Sequence, residues 1–146
     1  MAFKINLSEK SGKTYKLESE APNLIGKELH DKIDGKLISP NLEGYEFEIT
    51  GLSDKSGFTA LKEVEGIGLK KVLLTYGKAM KKKPRHEGKR KKTRNKPKGL
   101  RLRKTVRGKV ISENISQINL KVLKQGIKNL KEIFETSNSK PEEKKE

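Results

Sequence analysis

The feature that most constrains this chain is a dense run of positive charge in residues 78–109. This segment contains seventeen Lys or Arg residues and a single acid, Glu87. The formal net charge of the whole chain is +16, so basic and acidic side chains balance in the remainder of the sequence. The excess positive charge is therefore confined to one stretch of an otherwise balanced chain. Such confinement is expected of a surface that meets a polyanion, and we infer a small folded body with charged appendages.

The composition of the charged segment predicts the kind of partner that it binds. All six arginines of the chain lie within it, whereas the flanking sequence contains lysine but no arginine. Guanidinium groups form bidentate hydrogen bonds with phosphate, whereas an ammonium group acts as a point charge. The segment contains no Phe, Tyr or Trp, the residues on which single-strand binders usually stack bases. These features predict contact with the backbone of a folded nucleic acid.

Every cation of the segment is a candidate nucleic-acid-binding residue. The candidates are Lys78, Lys81, Lys82, Lys83, Arg85, Lys89, Arg90, Lys91, Lys92, Arg94, Lys96, Lys98, Arg101, Arg103, Lys104, Arg107 and Lys109. A solvated basic loop or a localisation-type cluster is the main alternative, since short Lys/Arg runs often have those roles. An anionic membrane is a further alternative, but no apolar side chains accompany the charges to insert into lipid. The number of charges and the grouping of the arginines favour nucleic acid, and we expect no membrane partner.

Alternating apolar and polar residues predict several short strands. Phe3, Ile5 and Leu7, for example, alternate with polar residues in the two-residue period of a half-buried strand. The predicted strands comprise residues 3–8, 14–18, 45–49, 69–76, 109–112 and 118–123. Apolar residues at helical spacing predict one short helix over residues 25–33 and another over residues 127–134.

The predicted fold is mainly β, a small barrel-like domain with one or two short helices. We expect residues 1–135 to form this single domain, with a long basic arm, residues 78–104, inserted between two strands. Pro84 and Pro97 argue against one long helix in the arm. Connections beyond about 15 residues are uncommon in compact domains, so a functional or disordered arm is expected. Residues 136–146 are rich in Ser, Lys and Glu, which predicts a disordered tail.

The sequence contains no combination of residues that predicts catalysis. It has no cysteine, which excludes disulfides, thiolate chemistry and Cys-ligated zinc. His30, Asp31 and Asp34 suggest a metal or acid–base site, but no second cluster completes it, so ordinary surface roles are expected. Gly66 and Gly68 lack the spacing of the glycine-rich phosphate-binding motifs. We therefore predict no enzyme activity, cofactor, metal or small-molecule substrate, and no homo-oligomer.

The sequence also predicts the compartment of the protein. No apolar run approaches the roughly 20 residues of a membrane-spanning helix, and the first residues lack the apolar stretch of a signal peptide. The lack of cysteine agrees with a reducing environment. A soluble, cytosolic protein is expected.

The sequence resembles a known family at the end of the basic arm. The motif Arg103-Lys104-Thr105-Val106-Arg107-Gly108 is similar to one in the archaeal–eukaryotic S6e family of small-subunit ribosomal proteins. Further similar segments are Gly26-Lys27, Asp34-Gly35, Gly44-Tyr45, Ile49-Thr50-Gly51, residues 53–58, Ile111-Ser112-Glu113 and residues 117–122. The similarity covers about residues 3–126. Two positions depart from the family pattern: Leu52 replaces a usual second glycine, and Thr59-Ala60 replaces a familiar Pro-Met pair.

The resemblance implies a structural constituent of the small ribosomal subunit with a small β-barrel core. Such a protein would bind ribosomal RNA through the basic arm, stabilise its fold and assembly in translation, and lie beside neighbouring ribosomal proteins in the cytoplasm. The length of the chain is similar to that of archaeal members, without the long basic C-terminal helix of eukaryotic ones. The charge by itself leaves one alternative open, a free-standing non-specific nucleic-acid-binding protein such as an RNA chaperone or a DNA-compacting protein.

Overall fold

The secondary structure largely follows the spacing of apolar residues along the chain. The computed structural model describes residues 2–80, 99–126 and 128–138, with side chains up to residue 134. Within these residues the elements are β1 (Phe3–Ser8), β2 (Thr14–Ser19), β3 (Lys32–Asp34), β4 (Glu46–Asp54), β5 (Leu69–Thr75), β6 (Arg101–Arg107), β7 (Ile115–Lys124) and α1 (Leu130–Asn138). In the described ranges, no helix is long and apolar enough to cross a bilayer.

The strands form two separate sheets. Five strands lie in a mixed sheet in the order β2-β1-β7-β4-β3. The β1–β7 pair is parallel, with Ile5 beside Ile118, and the other pairs are antiparallel. β5 and β6 form an antiparallel ribbon, in which Leu73 lies opposite Arg103. The mainly β fold is thus confirmed, but the two sheets are not closed into a barrel within the described residues.

The hydrophobic core lies against one face of the five-stranded sheet. Its strand residues are almost fully buried: Phe3, Ile5, Leu7, Ile33, Phe47, Ile49, Leu52, Ile115, Ile118, Leu120 and Val122. Each side chain of this kind contributes about 1.5–3 kcal/mol when it leaves water. A smaller cluster of Leu61, Val64 and Val106 lies beneath the ribbon, where Val72 and Leu74 of β5 are partly buried against it. Each sheet therefore has an apolar face that is covered and a face that meets solvent.

The predicted helix over residues 25–33 is wrong. Gly26 and His30 both have positive φ angles, 89° and 76°, which interrupt any helix. The segment instead pairs with the chain that follows β6: the backbone N–H of Leu29 donates to the carbonyl of Lys109, and that of Ile111 donates to Lys27. Of the apolar residues spaced four apart, Ile25 and Leu29 lie in a loop and Ile33 lies in β3. β3 pairs with β4, and no local pattern in the sequence indicates that pairing.

The same pairing explains a second wrong prediction. Residues 109–112 were expected to form a strand, but they make only an isolated bridge between Glu28 and Val110. Conversely, the ribbon strand β6 lies partly in the segment predicted as an arm, because residues 101–104 pair with β5. Residues 81–98 of the predicted arm lie outside the described part of the chain.

The remaining elements agree with the sequence more closely. β1, β2, β4, β5 and β7 form where strands were predicted, although β4 and β7 are longer than expected. α1 begins at Leu130, and it includes residues 136–138, the first three of the predicted tail. Residues 139–146 of that tail lie outside the described part. The boundary between domain and tail at residue 135 stays a prediction.

The ribbon meets the rest of the molecule at Gly108, directly after β6. The backbone N–H of Gly108 donates to the carbonyl of Gly68 at 3.0 Å. A Cβ atom on Gly108 would lie only 1.8 Å from the carbonyl oxygen of Gly66, a contact that no side chain can make. Glycine is therefore required at this position for close approach of two backbone segments.

Replacing Gly108 with alanine should force this junction apart. We expect Gly108→Ala to lower the free energy of unfolding by about 3 kcal/mol, the upper range for an overpacked site. Urea denaturation followed by circular dichroism measures the change. Gly68→Ala is the matched control, because a Cβ there meets no atom within 4 Å. Equal stability of the two variants would contradict the close approach at Gly108.

Candidate nucleic-acid interface

The structure positions the two ends of the predicted interface. Six of its seventeen candidate cations lie in described residues: Lys78, Arg101, Arg103, Lys104, Arg107 and Lys109. The other eleven lie outside them: Lys81, Lys82, Lys83, Arg85, Lys89, Arg90, Lys91, Lys92, Arg94, Lys96 and Lys98. The six described cations do not have a common environment, and burial separates them into two groups.

The first group is exposed on the ribbon. Arg101 and Arg103 lie on the outward face of β6, opposite Thr75 and Leu73 of β5. Side chains two residues apart on one face of a strand are about 7 Å apart, so the two guanidinium groups form a short row. Lys71 of β5 is exposed on this same face, opposite Thr105. Because β5 and β6 contain no acid, no carboxylate of the ribbon neutralises the row.

Two further cations lie beside this row. Lys104 is half-buried on the opposite face of β6, where it is paired with Val72. Lys78 follows the ribbon and is exposed, and its Nζ lies 3.4 Å from the carbonyl oxygen of Thr50 on β4. That weak contact leaves the ammonium group of Lys78 accessible to an anion.

The second group is engaged inside the protein. Arg107 is only 6% exposed, and its Nη1 lies 2.9 Å from Oδ2 of Asp54, which is itself 9% exposed. The backbone of Arg107 is also bonded: its N–H donates to Thr59 and its carbonyl accepts from Leu61. The guanidinium therefore cannot reach a phosphate without breaking the junction. Arg107 was predicted to bind nucleic acid; the structure holds its guanidinium in this buried ion pair, and contact of Arg107 with nucleic acid stays a prediction.

Lys109 also forms an ion pair with another part of the protein, but at a more exposed position. Its Nζ lies 2.8 Å from Oε2 of Glu28, and the side chain is about one-quarter exposed. The hydrogen bond from Lys109 to the Glu28 carboxylate raises the pKa of the lysine. Its backbone N–H donates to Val64, and its carbonyl accepts from Leu29. Lys109 thus joins the loop before β3 to the chain after β6.

The acidic residues near His30 also have structural partners. The carboxylate of Asp31 accepts a hydrogen bond from the backbone N–H of Glu28 at 2.8 Å, which closes a turn. Nδ1 of His30 lies 2.9 Å from Oε1 of Glu48, and this hydrogen bond lowers the pKa of the glutamate. Among the described residues, no group of three or more His, Asp or Glu side chains is arranged to hold a metal ion.

Sequence reasoning missed two features of this surface. Lys71 joins the arginine row only because β5 and β6 pair in one register. The alternation of Arg101, Arg103 and Thr105 with Leu102, Lys104 and Val106 was the available signal for β6. Asp54 was not among the predicted site residues, and nothing local in the sequence indicates that it binds an arginine 53 positions along the chain.

The sequence also matches a known protein family. The model of the family described as ribosomal protein S6e matches residues 3–135. The chain belongs to the ribosomal protein S6e family. The match extends beyond the segment over which the resemblance was recognised and includes the start of α1.

Archaeal proteins of this family are similar to the chain along most of their length. The small ribosomal subunit protein eS6 of Methanococcus maripaludis strain C6 is 41% identical over 127 residues, which cover 86% of this chain and 90% of the relative. The eS6 protein of Methanothermobacter thermautotrophicus is 40% identical over 137 residues, covering 92% and 96%. That of Methanosphaera stadtmanae is 38% identical over 149 residues, covering 100% and 99%. The suspected membership of the S6e family is therefore confirmed.

The internal role of Arg107 can be tested by a double-mutant cycle with Asp54. Arg107→Met and Asp54→Leu each leave one buried charge without its partner, so each should destabilise the protein by about 3–5 kcal/mol. The double variant should cost much less than the sum, because neither charge is then buried alone. Chemical denaturation of the four proteins measures the coupling.

The surface ion pair between Lys36 and Glu43 provides the matched control. Both side chains are more than 60% exposed at an Nζ–Oε1 distance of 2.7 Å. The same cycle with Lys36→Met and Glu43→Leu should show no measurable coupling, because water screens exposed pairs. Additive losses at Arg107 and Asp54 would contradict the structural role of the buried pair.

Proposed function

We propose that this S6e-family chain is a structural, non-enzymatic component of the small ribosomal subunit that binds ribosomal RNA through its basic ribbon and arm. The observation that carries the proposal is the confinement of the excess charge to residues 78–109 in a protein of this family. The relatives are named as small ribosomal subunit proteins. On this basis its partners are ribosomal RNA and neighbouring ribosomal proteins, in the cytoplasmic ribosome.

The physical basis of RNA binding is release of counterions from phosphates. Each Lys or Arg that neutralises a phosphate frees a condensed counterion, which makes affinity fall steeply with salt. The row of Arg101, Arg103 and Lys71 provides exposed cations on a hydrogen-bonded ribbon, next to residues 81–98 with eleven more. An arginine held on a strand needs less ordering to make a bidentate phosphate contact. The ribbon would thereby orient the charge of the arm toward folded RNA.

Removal of the arm tests this mechanism directly. We expect a chain in which a short Gly-Ser linker replaces residues 81–98 to lose at least 100-fold in affinity for small-subunit ribosomal RNA. Arg101→Ala/Arg103→Ala should reduce the slope of log affinity against log salt by about 1.4–1.8, at roughly 0.7–0.9 per lost phosphate contact. Filter binding between 50 and 200 mM salt, at about neutral pH, gives both quantities.

The matched control for the arginine pair is Lys4→Ala/Lys16→Ala, which removes two exposed cations from β1 and β2 of the other sheet. Its salt slope should equal that of the parent. Circular dichroism should show that all variants keep the β fold. Undiminished RNA affinity in the chain without residues 81–98 would refute binding through the arm.

The free-standing nucleic-acid-binding protein is the second candidate, since charge alone fits it equally well. Family membership favours the ribosomal role. Sedimentation of cell extract in about 150 mM salt distinguishes them: the chain should migrate with small subunits, because a bound subunit protein exchanges slowly. Recovery of most of the chain in a free pool, or on DNA, would support the second candidate. The chain without residues 81–98 is the control for arm-dependent retention.

A further inference from the structure

The ribbon has a free edge at β5. Within the described residues, β5 pairs with β6 alone, so one side of Leu69–Thr75 leaves backbone N–H and C=O groups without a strand partner. Free edges are sites where another chain can add a strand, and proteins usually protect them. β2, an edge of the five-stranded sheet, is protected in this way because Lys16 and Glu18 are its exposed side chains. β3 is protected by its length of only three residues.

β5 also has exposed lysines, Lys70 and Lys71, but unlike β2 it combines them with exposed leucines. Leu69 and Leu73 are 46% and 56% exposed, and Ile67 just before the strand is 50% exposed. They make up three of the four large hydrophobic side chains that are exposed in the described residues. Such a concentration of exposed apolar surface on one element is typical of a protein-binding surface.

The two strands of the ribbon therefore carry different side chains on one face. The outward residues of β5 are aliphatic around Lys71, whereas those of β6 are Arg101 and Arg103. Phosphate and ribose gain nothing by covering Leu69 and Leu73, so RNA suits the β6 side. A polypeptide can bury leucine and pair with a strand edge at once.

Charge further restricts the partner. The ribbon contains six cations and no acid, so a second copy of this chain would bring two strongly positive ribbons together. A segment with acidic side chains is complementary to Lys70 and Lys71. The partner that fits is thus an extended, acidic segment of another protein.

We propose that β5 binds an extended segment of a neighbouring protein in the small subunit, which pairs with its free edge and covers Leu69 and Leu73. The proposal rests on the ribosomal role proposed above, since it takes the partner from the same particle. The added strand supplies main-chain hydrogen bonds, its apolar side chains cover the leucines, and its acids lie near Lys70 and Lys71. The ribbon then contacts RNA along β6 and protein along β5.

A site-specific cross-link tests this contact. The chain has no cysteine, so Leu73→Cys can be labelled uniquely with a benzophenone maleimide. The labelled full-length chain is assembled into small subunits and irradiated, with Lys16→Cys on β2 as the matched control. We expect an adduct at position 73 that survives ribonuclease and maps by mass spectrometry to an acidic segment of one neighbouring protein. An adduct with RNA alone, with the chain's own residues alone, or no adduct would overturn the proposal.

A second experiment covers the case in which the label prevents assembly: a variant and the unsubstituted chain compete for incorporation into small subunits. Leu69→Ser/Leu73→Ser should enter small subunits about tenfold less well than the unsubstituted chain, while its melting temperature and affinity for isolated ribosomal RNA stay unchanged. Equal incorporation, or a parallel loss of RNA affinity, would overturn the β5 contact. Failure of the unsubstituted chain itself to enter subunits would instead refute the proposed ribosomal role.

Discussion

The relative arrangement of the two sheets depends on the buried ion pair between Arg107 and Asp54. Asp54 ends β4 of the five-stranded sheet, and Arg107 ends β6 of the ribbon, so their 2.9 Å contact joins the two directly. Residues 59–61 reinforce it, because Ala60 bonds to Leu52 on β4 while Thr59 and Leu61 bond to the backbone of Arg107. A buried pair contributes to net stability less than its Coulomb energy suggests, but an uncompensated charge is very costly. The pair therefore favours this one orientation of the ribbon.

Burial thus divides the family motif Arg103–Gly108 into an exposed part and a buried part. Arg103, Lys104 and Thr105 lie on the exposed portion of the ribbon or at its half-buried face, while Arg107 and Gly108 form the junction with the body. Arginine occurs in both parts for different reasons. At position 107 the guanidinium reaches a carboxylate in a confined space, and at 103 an identical group is free to meet an anion from outside. Charge counted along the sequence cannot distinguish these roles.

The sequence predicted what depends on local alternation and missed what depends on distant pairing. β1 and β7 were recognisable because apolar residues alternate with polar ones along them. The helix over residues 25–33 was wrong because Leu29 and Ile33 are buried by the chain after β6 and by β4, far away in sequence. β6 was hidden by its charge, since Arg101, Arg103 and Lys104 look like part of an arm until their pairing with β5 is known. Asp54 carried no local sign of its partner.

The distribution of acids explains why the ribbon differs from the rest of the surface. On the body, some exposed cations have carboxylates beside them, as in the pairs of Lys36 with Glu43 and Lys124 with Glu46. The ribbon has no acid in either strand, so its positive potential is not cancelled and both of its rows select partners by charge. In the roles proposed above, arginine on β6 binds phosphate, and leucine beside lysine on β5 binds an acidic polypeptide. Under that proposal the ribbon lies at a boundary where RNA and protein meet, since either partner alone would leave one of its strands uncovered.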